Sequence, residues 1–160
     1  MLKSLVQVFI LNVFLISGLA SAQPLKEAVV NEVLFSIGTV SYTGRDMLIY
    51  KSVLSELYLK NRISQYTKKP FDDFLLSRLS FSEASAFELK SEKSKISEAA
   101  RKKLSEFSLE EIVRENENIA VAIALIDIKE SQLRSQARFD TWFELLKRKY
   151  QLKLKSSEIK

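Results

Sequence analysis

A chain of 160 residues with 25 lysines and arginines against 20 aspartates and glutamates, net +5, contains neither histidine nor cysteine. Those two absences exclude the commonest general base and metal ligand, any thiol nucleophile, any thiolate zinc site and any disulfide. A packed core must hold such a fold together, for which 46% apolar residues suffice, and only 3 glycines and 2 prolines favour long helices over loops.

At the start, Lys3 gives a short positive region, Leu5 to Leu19 is free of charge, and Ala20-Ser21-Ala22 offers small residues where a signal peptidase reads. This pattern predicts a secretory signal peptide over residues 1–22, cleaved after Ala22. The competing reading is a retained anchor, for which the run falls short of the ~20 residues a spanning helix needs. No stable membrane span is expected after cleavage, and no lipid-modified N-terminus, since no cysteine follows the small residues. Residues 23–160 have the size of one domain. An exported domain without cysteines points to a bacterial periplasm.

Gln23 to Asn31 reads as an entry segment. Val33–Ile37 is a β-prone run ended by Gly38, and Val40-Ser41-Tyr42 follows at once, predicting a hairpin with its turn at Gly38-Thr39. Thr43 with Asp46 three residues on is a capping-box pattern, opening a first helix from Gly44 to Asn61. Pro70, with Asp72 and Asp73 behind it, opens a second helix from Phe71 to Ser91. Its apolar face is expected to be Phe71, Phe74, Leu75, Leu79, Ala86, Phe87 and Leu89.

Ser91 to Lys95 reads as an exposed turn. Ser97-Glu98 starts a short third helix through Ala100, Leu104 and Phe107, and Ser108 with Glu111 is a second capping box that opens a fourth. That helix carries Ile119 to Ile126, where periodicity alone does not separate a buried strand from a buried helix. Alternating alanines and the upstream cap favour helix. Ser131 is expected to cap a fifth helix, Gln132 to Lys149, with Leu133, Ala137, Trp142, Leu145 and Leu146 inward. The alternation in Tyr150 to Lys155 predicts a closing strand with one buried side. The fold class is mainly α (α+β): a compact bundle of four to five helices with a short N-terminal β-hairpin and a short C-terminal strand.

The order of these features resembles the N-terminal chaperone domain of SurA-type periplasmic folding factors. The resemblance is carried by Val33-Leu34-Phe35-Ser36-Ile37-Gly38 leading into Val40 to Asp46, and by Phe74 to Leu79 followed by Glu83-Ala84. Ile96-Ser97-Glu98-Ala99 and the ending from Phe139 to Lys155 extend it over most of residues 23–160. Two departures stand out: Ile37 precedes Gly38 where that family has asparagine, and no parvulin-type prolyl isomerase domain follows. The resemblance implies chaperone or client-binding activity, with unfolded or outer-membrane proteins as clients, and argues against isomerase activity.

The residues themselves supply little catalytic material. Asp72-Asp73 and Glu110-Glu111 are adjacent pairs, so each pair points about 100° apart on a helix, and first-turn capping explains them better than a paired-acid hydrolase. A serine–lysine dyad from Ser91 or Ser94 with Lys90, Lys93 or Lys95 lacks any apolar setting to lower a lysine pKa. Only Gly38 and Gly44 remain after cleavage, so no glycine-rich phosphate loop exists. The basic runs Lys147-Arg148-Lys149 and Arg101-Lys102-Lys103 read as solvated helix faces rather than sites for nucleic acid or anionic lipid. No enzyme activity, no cofactor, no metal site and no nucleic-acid partner is expected.

The aromatic residues are the stronger clue. Phe71, Phe74, Phe81, Phe87, Trp142 and Phe143 are too many to face one core from helices with single apolar stripes. Core packing is the competing reading and the commoner fate of such rings in a small helical protein; those left outside it are the expected client-binding residues, lining an apolar groove. The alternative is a non-catalytic subunit or adaptor of a specific envelope complex, possible as a homodimer that exchanges its terminal strand or helix.

Overall fold

A computed structural model of the chain describes residues 30–58, 63 and 69–155. The expected signal peptide and nearly all of the entry segment lie outside those residues, as do 59–61 at the end of the first expected helix. The sheet and helices that follow lie in one compact unit, Val33–Lys160.

Strands β1 (Val33–Ile37) and β2 (Val40–Thr43) form the expected hairpin, antiparallel, with a bulge between Val33 and Phe35. Gly38 takes a left-handed conformation (φ +58°) at the turn, which costs glycine nothing. Its N–H donates to the Tyr150 carbonyl at 3.0 Å, tying the hairpin tip to the end of the last helix. The closing strand β3 is only Lys153–Leu154, pairing antiparallel with β1 to give the order β2-β1-β3. The expected one buried side is not realised within it. Leu152, just before it, packs on the core, but Leu154 stays 45% exposed at the sheet edge.

Helix α1 (Gly44–Leu57) starts at the predicted box. The Thr43 hydroxyl accepts from the Asp46 N–H at 3.3 Å, and the Asp46 carboxylate accepts from the Thr43 N–H at 2.7 Å. Helix α2 (Pro70–Ala86) has Pro70 in its first turn with Asp72 and Asp73. It stops well before Ser91 because Glu88 turns left-handed (φ 53°). Glu88 then donates to the Ser85 carbonyl and Leu89 to that of Ala84, a Schellman closure without glycine. Helix α3 (Glu98–Lys103) is capped by Ser97 as predicted, and α4 (Leu109–Leu133) by Ser108 and Glu111.

The segment Ile119–Ile126 is helical and largely buried within α4. Helix α5 runs from Gln136 to Lys149, not from Gln132, and its cap is Ser135, not Ser131. The Ser131 hydroxyl turns back to the Ile128 carbonyl, α4 continues to Leu133, and a left-handed Arg134 (φ 55°) makes the break. Leu133 therefore packs on the core from α4. Ala137 and Leu145 face solvent, and Phe139 takes the buried place instead.

Helix α2 is the centre of the unit, packed by α1, α4 and α5. Enclosed on several sides, it buries Leu76, Ser77, Arg78 and Ser80 beyond the expected stripe, while Ala86 and Phe87 at its end are exposed. The core beneath the sheet is aromatic. Phe35 lies 5.0 Å from Tyr42, 5.4 Å from Phe74 and 5.8 Å from Phe71, ring centre to ring centre.

Candidate functional site

The six aromatic residues singled out by the sequence fall in two places. Phe74 is fully buried in the main core, and Phe71 is half-buried against Phe35, so this pair supports the sheet. The other four lie on the C-terminal part of α2 and on α5. Phe81, Leu89 and Trp142 pack, half-buried, on a second small cluster of Ala84, Val121 and Leu125. Trp142 also stands edge-on to Phe139 at 5.0 Å. Phe143 is half-buried with the Lys147 ammonium 4.3 Å above its ring. Phe87, by contrast, is 68% exposed, the most open large apolar residue among those described, and Leu145 follows at 55%.

Local chain geometry places Phe87 there. As the C-cap of α2 it precedes the left-handed Glu88, and the closure that returns Leu89 to Ala84 leaves the Phe87 ring outside. The Lys149 ammonium lies 5.6 Å from the centre of that ring and 5.3 Å from that of Tyr150. Lys149 and the Tyr150 hydroxyl donate to one Glu83 carboxylate oxygen, at 2.6 and 2.7 Å. Burial pushes the Glu83 carboxyl up, but the hydrogen bonds from Lys149 and Tyr150 outweigh it and hold the acid below its usual range. The Glu83 hydrogen bond raises Lys149, and burial followed by Glu83 raises Tyr150. This trio fastens α5 to α2 beside the exposed ring.

Three of the candidate catalytic groups, Glu111, Lys93 and Ser94, make structural contacts. Glu111 closes the α4 capping box and takes a forked contact from Arg45, with Nη2 2.9 Å from Oε1. Lys93 pairs with Glu117 at 2.8 Å, and the Ser94 carbonyl accepts from Asn116. Asp73, in the first turn of α2, borders a cleft of about 540 Å³ with Tyr50, Tyr58 and Lys51. Burial, with help from the neighbouring Asp72 charge, raises its carboxyl to about 6. Among the described residues no group of three or more aspartates and glutamates is placed to hold a metal ion. Among them also, no helix is long and apolar enough to cross a membrane.

A buried ion pair went unforeseen. Arg78 Nη2 lies 2.6 Å from Glu115 Oε2, with side chains 3% and 5% exposed. The guanidinium carbon sits 4.8, 5.6 and 5.8 Å from the ring centres of Phe74, Tyr42 and Tyr50. One signal was present: Arg78 is the sole charge between Asp73 and Glu83 on a helix otherwise apolar or serine there. Next to it, Asn116 is buried, its amide oxygen accepting from the Tyr58 hydroxyl at 2.6 Å. This network joins α1, α2 and α4 and lies away from solvent.

No family model, no curated protein and no solved structure matches the chain.

Proposed function

We propose that the chain is an exported, periplasmic client-binding protein of chaperone type that holds unfolded or partly folded envelope proteins, outer-membrane proteins among them, without isomerase activity. The observation that carries this reading is Phe87, 68% exposed at the end of α2, where Phe81 and Leu89 are half-buried, with the half-buried Trp142 and the open Leu145 on α5, whose Lys149 lies over the Phe87 ring. Fully burying a phenylalanine side chain is worth roughly 1.5–3 kcal/mol, so a partner that covers such a ring gains area without reshaping the fold. Several half-buried apolar side chains together with one open ring suit clients of varied sequence, because each contact is small and none is obligatory. In this reading Phe81, Phe87, Trp142 and Phe143 meet the client, while Phe71 and Phe74 keep the sheet packed beneath α2.

The test is light scattering from an unfolded outer-membrane protein diluted into buffer. Stoichiometric excess of this protein suppresses the scattering; unchanged scattering overturns the reading. A pull-down from envelope extract separates it from the alternative of a dedicated complex subunit. Many weak partners support holding, and one dominant partner supports the subunit. The export step has its own readout, an N-terminus at Gln23 in the periplasmic fraction.

A further inference from the structure

On α5, Arg138, Trp142, Leu145 and Lys149 follow one another at spacings of four, three and four, which places them on one stripe of the helix. Its middle is apolar and its two ends are cationic. Lys149 touches Phe87, so the stripe runs along the surface just described. Between Gln136 and Lys155 there are six lysines and arginines against two carboxylates, in a chain whose whole excess is +5. Both carboxylates are engaged within α5: Glu144 by Lys147 at 2.6 Å, and Asp140 by the Gln136 amide at 2.7 Å.

The basic residues in the last turn of α5 favour the negative end of its dipole, so local stability accounts for them. Arg138 has no such explanation. It sits in the first turn, where the dipole disfavours a cation, and it makes no ion pair among the described residues. Lys149 is half exposed and gives one hydrogen bond to Glu83, leaving two ammonium donors for another acceptor. Two cations thus bracket an apolar stretch at a separation of about 16 Å, from the helical rise over eleven residues.

We propose that this surface selects client segments in which an apolar centre is flanked by two carboxylates, one meeting Arg138 and the other Lys149; the inference rests on the client-binding reading above. In an extended segment that separation spans about five residues. A discrete segment fits better than a continuous anionic lipid surface, which would also meet the exposed Glu88 carboxylate next to Phe87 in the chain.

Three peptides with one apolar centre, flanked five residues apart by glutamate, glutamine or lysine, are titrated into the full chain. Emission of Trp142, the only tryptophan, is followed. The glutamate peptide binds about tenfold tighter than the lysine peptide, and the advantage shrinks as salt rises toward about 1 M. Arg138→Glu narrows the gap at least threefold with the unfolding midpoint held or raised, since the new acid suits the first turn. Equal binding of all three peptides overturns the charge selection and leaves client binding standing. No binding by any of them overturns both. Binding to phosphatidylglycerol vesicles with no peptide binding overturns both as well, in favour of a membrane surface.

Discussion

Arg78 and Phe87 are nine residues apart on one helix and its cap, and they reverse the usual rule, with the charge inside and the ring outside. The difference lies in what surrounds each position. At Arg78 the helix is closed in by Tyr42 of β2, Tyr50 of α1 and Glu115 of α4, so even a guanidinium is enclosed and must be paired. At Phe87 the helix has run past those neighbours: Ala84 in its last turn still packs on Val121 and Leu125 of α4, and α5 beside it supplies Lys149. The first site is sealed from solvent; the second is open to it. A buried pair is weak support for stability, because desolvation offsets much of the attraction, yet breaking it leaves a stranded charge.

The sharpest way to test that contrast is to strand Arg78. Glu115→Ala is expected to cost about 3–5 kcal/mol in urea unfolding, and Arg78→Met with Glu115→Leu to recover most of it. A single-variant loss below about 1 kcal/mol would mean that Arg78 is not enclosed as described. Two phenylalanines of α2 and its cap give the next comparison. Phe74→Ala should cost about 3–5 kcal/mol through the cavity it leaves, and Phe87→Ala less than about 0.5 kcal/mol.

Acid titration sharpens the boundary between the regions. Glu83 has a depressed folded pKa, so the Glu83–Lys149–Tyr150 contact contributes its stability above the ordinary glutamate value, near 4.3, and loses it as pH falls through the lower folded value. Lys149 is half exposed and solvent screens it, so the difference between wild type and Glu83→Gln is expected to be about 1 kcal/mol at pH 7 and to vanish in strong acid. The smallest effect is backbone relief. Glu88→Gly removes a left-handed side chain and should raise stability by about 0.5–1 kcal/mol, net of the entropy glycine loses on folding.

Most helix starts were legible in the sequence, that of α5 excepted, and the ends of α2 and α4 were not. Thr43, Pro70, Ser97 and Ser108 each announce a helix by a side chain or ring that acts locally, and each stands where expected. The ends of α2, α4 and α5 turn on Glu88, Arg134 and Gln151, all left-handed and none glycine, so nothing in residue type marks the stop. Ser131 and Ser135 are equally good caps by type, and only the break at Arg134 chooses between them. The aromatic surface was half visible. Phe81 and Trp142 share one small cluster, Phe143 packs on the main core and Phe87 stands open, while Phe74 lies in the core because α2 is surrounded rather than edge-on. The Arg78–Glu115 pair depends on packing between distant positions, which no local pattern reports.

The deciding measurement is the holding activity of Phe87→Ser combined with Leu145→Ser against wild type, at matched unfolding midpoints. If the oily end of α2 and α5 is where clients sit, the double variant lets an unfolded outer-membrane protein aggregate while keeping its own fold. Undiminished protection by that variant would contradict the account.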